Sequence, residues 1–276
     1  MRFASLGSGS DGNAWLVQAT QDARATGRCL MIDCGFSVKA AVNRLERLCL
    51  APSDIAGIVV THEHDDHIGG VFKFSRRYQT PVYLTHGTWR AALESGKSTV
   101  DYYETGRVVL VDSHQPFECA GFWVDPFPVP HDAKEPIQLL IQNQLGTLGI
   151  LTDCGSSTPL LVSKLKQADW LILELNHCPD KLKNSNYPES LKRRVGGSYG
   201  HLSNQVACEI LLQVASSRLK YVVAAHLSKN TNCPHLVYSM LEKTLRPLKI
   251  HFDIACQEQG LSWWHTINQA EEMIDM

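Results

Sequence analysis

Thr61-His62-Glu63-His64-Asp65-Asp66-His67 packs three imidazoles and three carboxylates into seven residues, directly after the apolar run Ile58-Val59-Val60. His62 and His64 stand two apart, so an extended or turning backbone aims both side chains into one space. Asp66 and His67 follow at once, and Ile68-Gly69-Gly70 lets the chain turn close by. Imidazole nitrogen is a ligand for zinc, iron and manganese, and carboxylate oxygen accepts all three. Charge this dense at the end of a buried strand calls for a cation that neutralises it. The chemistry on offer is that of a metal centre.

The elements that position this cluster are legible in outline. Residues 55–60 form the strand that delivers it, and residues 29–33 form a second buried strand ending on Asp33-Cys34-Gly35. Short strands at 2–8 and 14–18 flank the turn Gly7-Ser8-Gly9-Ser10-Asp11-Gly12-Asn13. That turn is either a plain hairpin or, through Ser8, Asn13 and backbone N–H groups, a phosphate cradle. Helical spacing over 38–50, 71–78 and 88–94 alternates with a strand at 81–84, and His86 reads as a loop residue. Strands recur at 107–111, 121–127, 137–142 and 147–151, the last two joined by a hairpin at 143–146. A helix over 158–168, a strand at 170–174, an irregular polar segment over 176–200, a helix over 202–219 and a strand at 220–224 follow. Strands near 249–255 and 260–265 close the second sheet. Two blocks of strands, each with helices, make an α/β sandwich.

With 276 residues, 44% apolar and 20% charged, the composition is that of an ordinary globular protein, and no linker marks a boundary. One domain over 1–276 is expected. No apolar stretch reaches the roughly 18 residues of a membrane span, and the first residues are too polar for a signal peptide. Those two features predict a cytoplasmic protein without membrane contact. The nine cysteines are scattered and contain no Cys-x-x-Cys pair, which argues against a disulfide framework or a zinc ribbon. Cys34 and Cys154, each between an Asp and a Gly, read as packing residues. A net charge of −2 excludes a surface coated in basic groups but permits a local basic patch.

The order His-x-His-x-Asp-His after a strand resembles the metallo-β-lactamase fold, a four-layer αβ/βα sandwich with a dinuclear metal site at the sheet edge. The resemblance supplies the remaining ligands from distant loops: His131 in Val129-Pro130-His131-Asp132, Asp153 in Leu151-Thr152-Asp153-Cys154-Gly155, and His226 in Ala224-Ala225-His226-Leu227-Ser228. It implies one ion on His62, His64 and His131, a second on Asp66, His67 and His226, and Asp153 bridging both. The ions are zinc, manganese or iron, and Asp33 supports the ligands by hydrogen bonding. Two such ions share a hydroxide nucleophile and polarise a phosphoryl or carbonyl oxygen together, so the resemblance implies a metal-dependent hydrolase.

Within that superfamily the chain is similar to the YycJ/WalJ/VicX-type proteins, which are associated with DNA exonuclease activity. The residues that carry this are Ser5 to Asn13, the histidine cluster, Asn176-His177, Gly200-His201-Leu202-Ser203-Asn204 and His226-Leu227-Ser228. Asp11 departs from the family, which often has a second Ser in the first loop. The Gly-His element resembles that of phosphodiesterases in which this His protonates the leaving oxygen, so His201 joins Asp66 and Asp153 as a catalytic candidate. It also sits before Ser203, a candidate helix N-cap. Asn176 and His177 are substrate-side candidates or plain loop residues. Lys181, Lys183, Lys192, Arg193 and Arg194 form either a solvated loop or phosphate contacts, with Tyr187 and Tyr199 available for stacking. The leading expectation is a nuclease acting on DNA. A small-molecule phosphodiesterase, a thioesterase and a regulatory protein that keeps its metal site are the alternatives.

Overall fold

A computed structural model describes residues 1–19 and 28–265. Its strands are β1 (Arg2–Gly7), β2 (Ala14–Gln18), β3 (Cys29–Ile32), β4 (Ile55–Val59), β5 (Val82–Thr85), β6 (Val108–Val111), β7 (Phe117–Cys119), β8 (Phe122–Pro128), β9 (Ile137–Asn143), β10 (Gly146–Leu151), β11 (Trp170–Glu174), β12 (Tyr221–Ala225), β13 (His251–Ile254) and β14 (Leu261–His265). They form two seven-stranded sheets, ordered β14-β1-β2-β3-β4-β5-β6 and β13-β12-β11-β10-β9-β8-β7. In the first sheet β3 through β6 run parallel, and in the second β10 through β13 do.

The central strands are apolar on both faces because each is covered on both. Leu30 and Ile32 point between the sheets while Cys29 and Met31 point out to the helices, the alternation a strand imposes. Trp170 and Ile172 against Leu171 and Leu173 repeat the pattern in the second sheet. Helices α1 (Val38–Arg47), α2 (Asp65–Ile68), α3 (Val71–Tyr78), α4 (His86–Glu94) and α5 (Val100–Glu104) belong to the first half. Of these, α1, α3 and α4 cover the outer face of the first sheet. Helices α6 (Pro159–Leu165), α7 (Pro179–Lys183), α8 (Glu189–Val195), α9 (Asn204–Val214) and α10 (Pro234–Leu245) belong to the second, and α6, α9 and α10 cover its sheet. The result is the expected four-layer αβ/βα sandwich.

Several expectations need correcting. The polar segment 176–200 is not irregular: it carries α7, opened by Pro179, and α8, opened by Pro188. A proline at a helix start gives up an N–H that has no helical partner anyway. His86 is not in a loop but is the first residue of α4, after the Thr85 cap. The helix sought over 202–219 is α9, which starts where the Ser203 hydroxyl accepts the Val206 N–H, at 3.3 Å. The two C-terminal strands part company: β13 extends the second sheet, while β14 pairs antiparallel with β1 at the edge of the first. No sequence reading anticipated β7, α5 or α10. Among the described residues, no helix is long and apolar enough to cross a membrane.

Candidate metal centre

β4 ends at Val59, and the chain then carries His62 and, after a bend at Glu63, His64, whose extended backbone leads into α2. His62 Nε2 lies 3.1 Å from His64 Nδ1, and His131 Nε2, from the loop after β8, lies 3.2 Å from the same atom. Atoms that each sit about 2.0–2.1 Å from a tetrahedral ion lie about 3.3 Å from one another. This trio therefore has the spacing of a shared cation. A second group forms beside it. His226 Nε2, delivered by β12, stands 3.3 Å from Asp66 Oδ2, and His67 Nε2 stands 3.5 Å from it. Asp153, after β10, lies between the groups, with Oδ2 2.9 Å from His67 Nε2 and Oδ1 3.8 Å from His131 Nε2. Asp153 is buried, and the imidazoles of His67, His131 and His226 crowd its two oxygens, a donor set that suits a cation better than protons. All seven ligand candidates converge here, and their chemistry fits divalent metal. Glu63 and Asp65 turn away, to the backbone N–H of Lys134 and to Lys97.

Each inward-facing imidazole is oriented through its other nitrogen. Asp33 is buried and does this for two: its Oδ2 is 2.8 Å from His67 Nδ1 and accepts the Thr61 hydroxyl, which in turn meets His62 Nδ1 at 3.0 Å. Its Oδ1 accepts the Thr61 N–H. Asp33 thus reaches one imidazole directly and another through Thr61. His131 Nδ1 donates to the Gly200 carbonyl at 2.9 Å. The loop that carries Asp33 presses on α2: a Cβ on Gly35 would stand 1.9 Å from the Asp66 carbonyl oxygen, so only glycine fits. Asp33 and His226 both take left-handed backbone, φ 60 and φ 55, unusual for residues with a side chain.

Burial drives the His62 and His64 pKa values down, keeping both neutral and ready to ligate. Burial works against charge at His67, His226, Asp66 and Asp153 too, yet their mutual attraction prevails: both imidazoles are raised, His226 to about 10, and both carboxylates are held below the usual range. Protons occupy the place of cations in this balance, and a bound metal would displace them.

Sequence reasoning missed Glu174. It ends β11, is completely buried, and serves four donors. Its Oε1 lies 2.7 Å from His201 Nδ1 and 3.1 Å from His226 Nδ1; its Oε2 accepts the N–H of Cys154 and of Leu202. His201 stacks on His226, with ring centroids 5.3 Å apart, and stays partly open to solvent. Burial opposes its charge, but Glu174 outweighs it and raises the His201 pKa. Asp153, Glu174, His201 and His226 also lie close enough to hold an ion together.

Other site candidates are redistributed. The Ser8 hydroxyl accepts the His226 N–H at 2.9 Å, and the Asn13 amide reaches Gly9, Asp66 and His67. Both are buried and brace the centre, so neither is a phosphate contact. Asp11, the departure from the family, pairs with Lys229 at 2.6 Å. Asn176 lines the cleft while its amide holds the His226 carbonyl. His177 is buried, with Nδ1 unpaired, and does not line this cleft. Lys192 is tied to the Lys183 carbonyl and Glu189, Arg193 points to solvent, and Arg194 alone of the three lines the cleft. That cleft holds about 380 Å³ above Asp66, Asp153, His201 and His226, and Tyr187, Leu191, Arg194 and Val195 wall it. Tyr199 lies outside it.

The description "Beta-lactamase superfamily domain" matches residues 28–226. The chain belongs to that superfamily. It is 30% identical over 245 residues to "Exodeoxyribonuclease YycJ" of Bacillus anthracis, covering 89% of each chain. It is 28% identical over 244 residues to "Exodeoxyribonuclease WalJ" of Streptococcus pneumoniae, covering 88% of each. Among solved structures, the metallo-beta-lactamase fold protein YhfI from Bacillus subtilis superposes with a TM-score of 0.69 at 15% identity, over 96% of this chain and 99% of that one. This superfamily member is a metal-dependent hydrolase of metallo-β-lactamase fold.

Proposed function

We propose that this hydrolase is a phosphodiesterase that cleaves nucleic acid, DNA foremost, with two divalent ions: one on His62, His64 and His131, the other on Asp66, His67 and His226, and Asp153 shared. The observation that carries this is His201, held through Nδ1 by buried Glu174 and presented to the cleft beside Asp66 and Asp153. Thioester cleavage expels a thiolate unaided, whereas a phosphodiester of nucleic acid expels a poor alkoxide that needs a proton. With Nδ1 donating to Glu174, Nε2 is the nitrogen free to supply it. Bound divalent ions would acidify a water and polarise the phosphoryl oxygen. The exodeoxyribonuclease relatives support the choice of DNA.

The test is hydrolysis of labelled single- and double-stranded DNA, RNA and bis(p-nitrophenyl) phosphate by protein of measured metal content, with and without chelator. Nucleotide release from DNA, abolished by chelator and restored by metal, is expected. Cleavage of the nitrophenyl ester and of cyclic phosphodiesters with DNA left intact would redirect the reading to a small-molecule phosphodiesterase, which the cleft's one-nucleotide scale favours as the second reading. Inertness towards every phosphodiester would end it.

A further inference from the structure

Helix α8 presents Leu191, Arg194 and Val195 to the cleft, positions three and four apart and therefore on one face. Tyr187, just before the helix, continues that wall, its hydroxyl accepting the Asn230 amide N–H at 3.0 Å. The wall is apolar except at Arg194. This guanidinium engages Asp132 through Nε, 2.5 Å from Oδ2. Among the described residues its terminal amino groups make no hydrogen bond. The other oxygen of Asp132 faces the metal centre, 3.6 Å from His131 Nε2 and 3.8 Å from His64 Nε2. A cation and an anion thus meet at the rim, one from α8 and one from the loop that carries His131.

We propose that Arg194 recognises the substrate phosphate, with Asp132 as its resting counter-ion, which the phosphate displaces. Planar guanidinium binds two phosphate oxygens side by side, a geometry that a carboxylate held through Nε alone does not use. The pair is half-exposed, so it is readily given up. A tetrahedral phosphodiester anion over the metal centre answers both the unused amino groups and the local cations. Leu191, Val195 and Tyr187 then face the sugar and base. Arg194 is accordingly the residue that selects a phosphoryl group over a carbonyl ester, and α8 is the nucleotide-recognition element. The assignment rests on the phosphodiesterase reading.

Calorimetric titration of inorganic phosphate into metal-loaded wild-type, Arg194→Ala, Arg194→Lys and Asp132→Asn proteins tests it, with metal content and thermal midpoint measured for each. Arg194→Ala should weaken phosphate roughly 10- to 100-fold, as loss of charge-assisted bonds does, with Arg194→Lys between it and wild type. Asp132→Asn should tighten phosphate about two- to five-fold, because a competing carboxylate is gone. On DNA, Arg194→Ala should raise KM more than it lowers kcat. Unchanged phosphate affinity in Arg194→Ala overturns the proposal, as does Asp132→Asn weakening phosphate along with a lowered thermal midpoint, which makes the pair a structural strut. Failure of every protein, wild type included, to bind phosphate would instead count against the phosphodiesterase reading on which the proposal stands.

Discussion

Replacing His201 with alanine separates proton donation from metal binding, and the surroundings of the residue set the size of the effect. His201 Nδ1 is committed to Glu174 at 2.7 Å, so the cleft-facing Nε2 is what the variant deletes. Loss of a positioned general acid slows a reaction about 10²- to 10⁴-fold, equivalent to about 2.7–5.4 kcal/mol of barrier. That loss is expected on DNA, whose leaving oxygen is an alkoxide, with metal content and fold intact. Bis(p-nitrophenyl) phosphate should lose less than about tenfold, because nitrophenolate departs without a proton. Glu174→Gln is the graded companion. A glutamine keeps the volume but offers one acceptor oxygen where the carboxylate offers two oxygens to four donors. About 10- to 100-fold loss on DNA is expected, with about 1–3 kcal/mol of stability forfeited to buried donors left unpaired. The assay is single-turnover cleavage of both esters alongside elemental analysis. Equal losses on the two esters with metals retained would refute proton donation. A metal missing from His201→Ala would make His201 a ligand, as its proximity to Asp153 and His226 allows.

Asp153→Ala should bind one ion or none and melt earlier, since the carboxylate shared by both donor groups is gone; two tightly held ions by elemental analysis would reject the bridging assignment. Asp33→Ala should keep metal but bind it about 10- to 100-fold more weakly in a chelator competition, because His67 and Thr61 lose their anchor. An unchanged affinity would show the Asp33 contacts to be dispensable. Burial pushes the Cys34 and Cys154 thiols up to about 12, so at pH 8 both remain protonated and inert. Cys233 is lowered by accepting backbone N–H groups at the start of α10. Iodoacetamide should therefore label Cys233, with exposed Cys49 and Cys256, well before Cys34 and Cys154. Comparable labelling of Cys34 in the native protein, read by mass spectrometry, would contradict this.

The centre was legible because its chemistry is local: three histidines and Asp66 within six residues need a cation whatever surrounds them. The fold followed from buried strands in two blocks. Glu174 stayed hidden for the opposite reason. It closes an apolar strand like any polar terminal residue, and its partners lie 20, 27, 28 and 52 residues away. The role of Ser8 and Asn13 stayed open because a glycine-rich turn looks alike whether its polar groups meet solvent or the backbone of a metal loop. The helices of the 176–200 segment carried a signal in Pro179 and Pro188, but at five and seven residues they are too short for periodicity to show. Which of three adjacent cations faces the cleft is a matter of helical phase, and composition says nothing about that.

The return of β14 to pair with β1 bears on how the protein is made. On a ribosome β14 emerges some 250 residues after β1, so the first sheet stays open along β1 throughout that interval. His226 emerges only after β12, long after His62 to His67. A nascent chain therefore exposes a histidine cluster that cannot yet complete its second set of donors, and a bare sheet edge three strands away from the one that carries it. The nuclease proposed here would stay silent at least until β12 and His226 have emerged, and a product truncated before them would be an edge-exposed, aggregation-prone fragment with no means of cutting DNA.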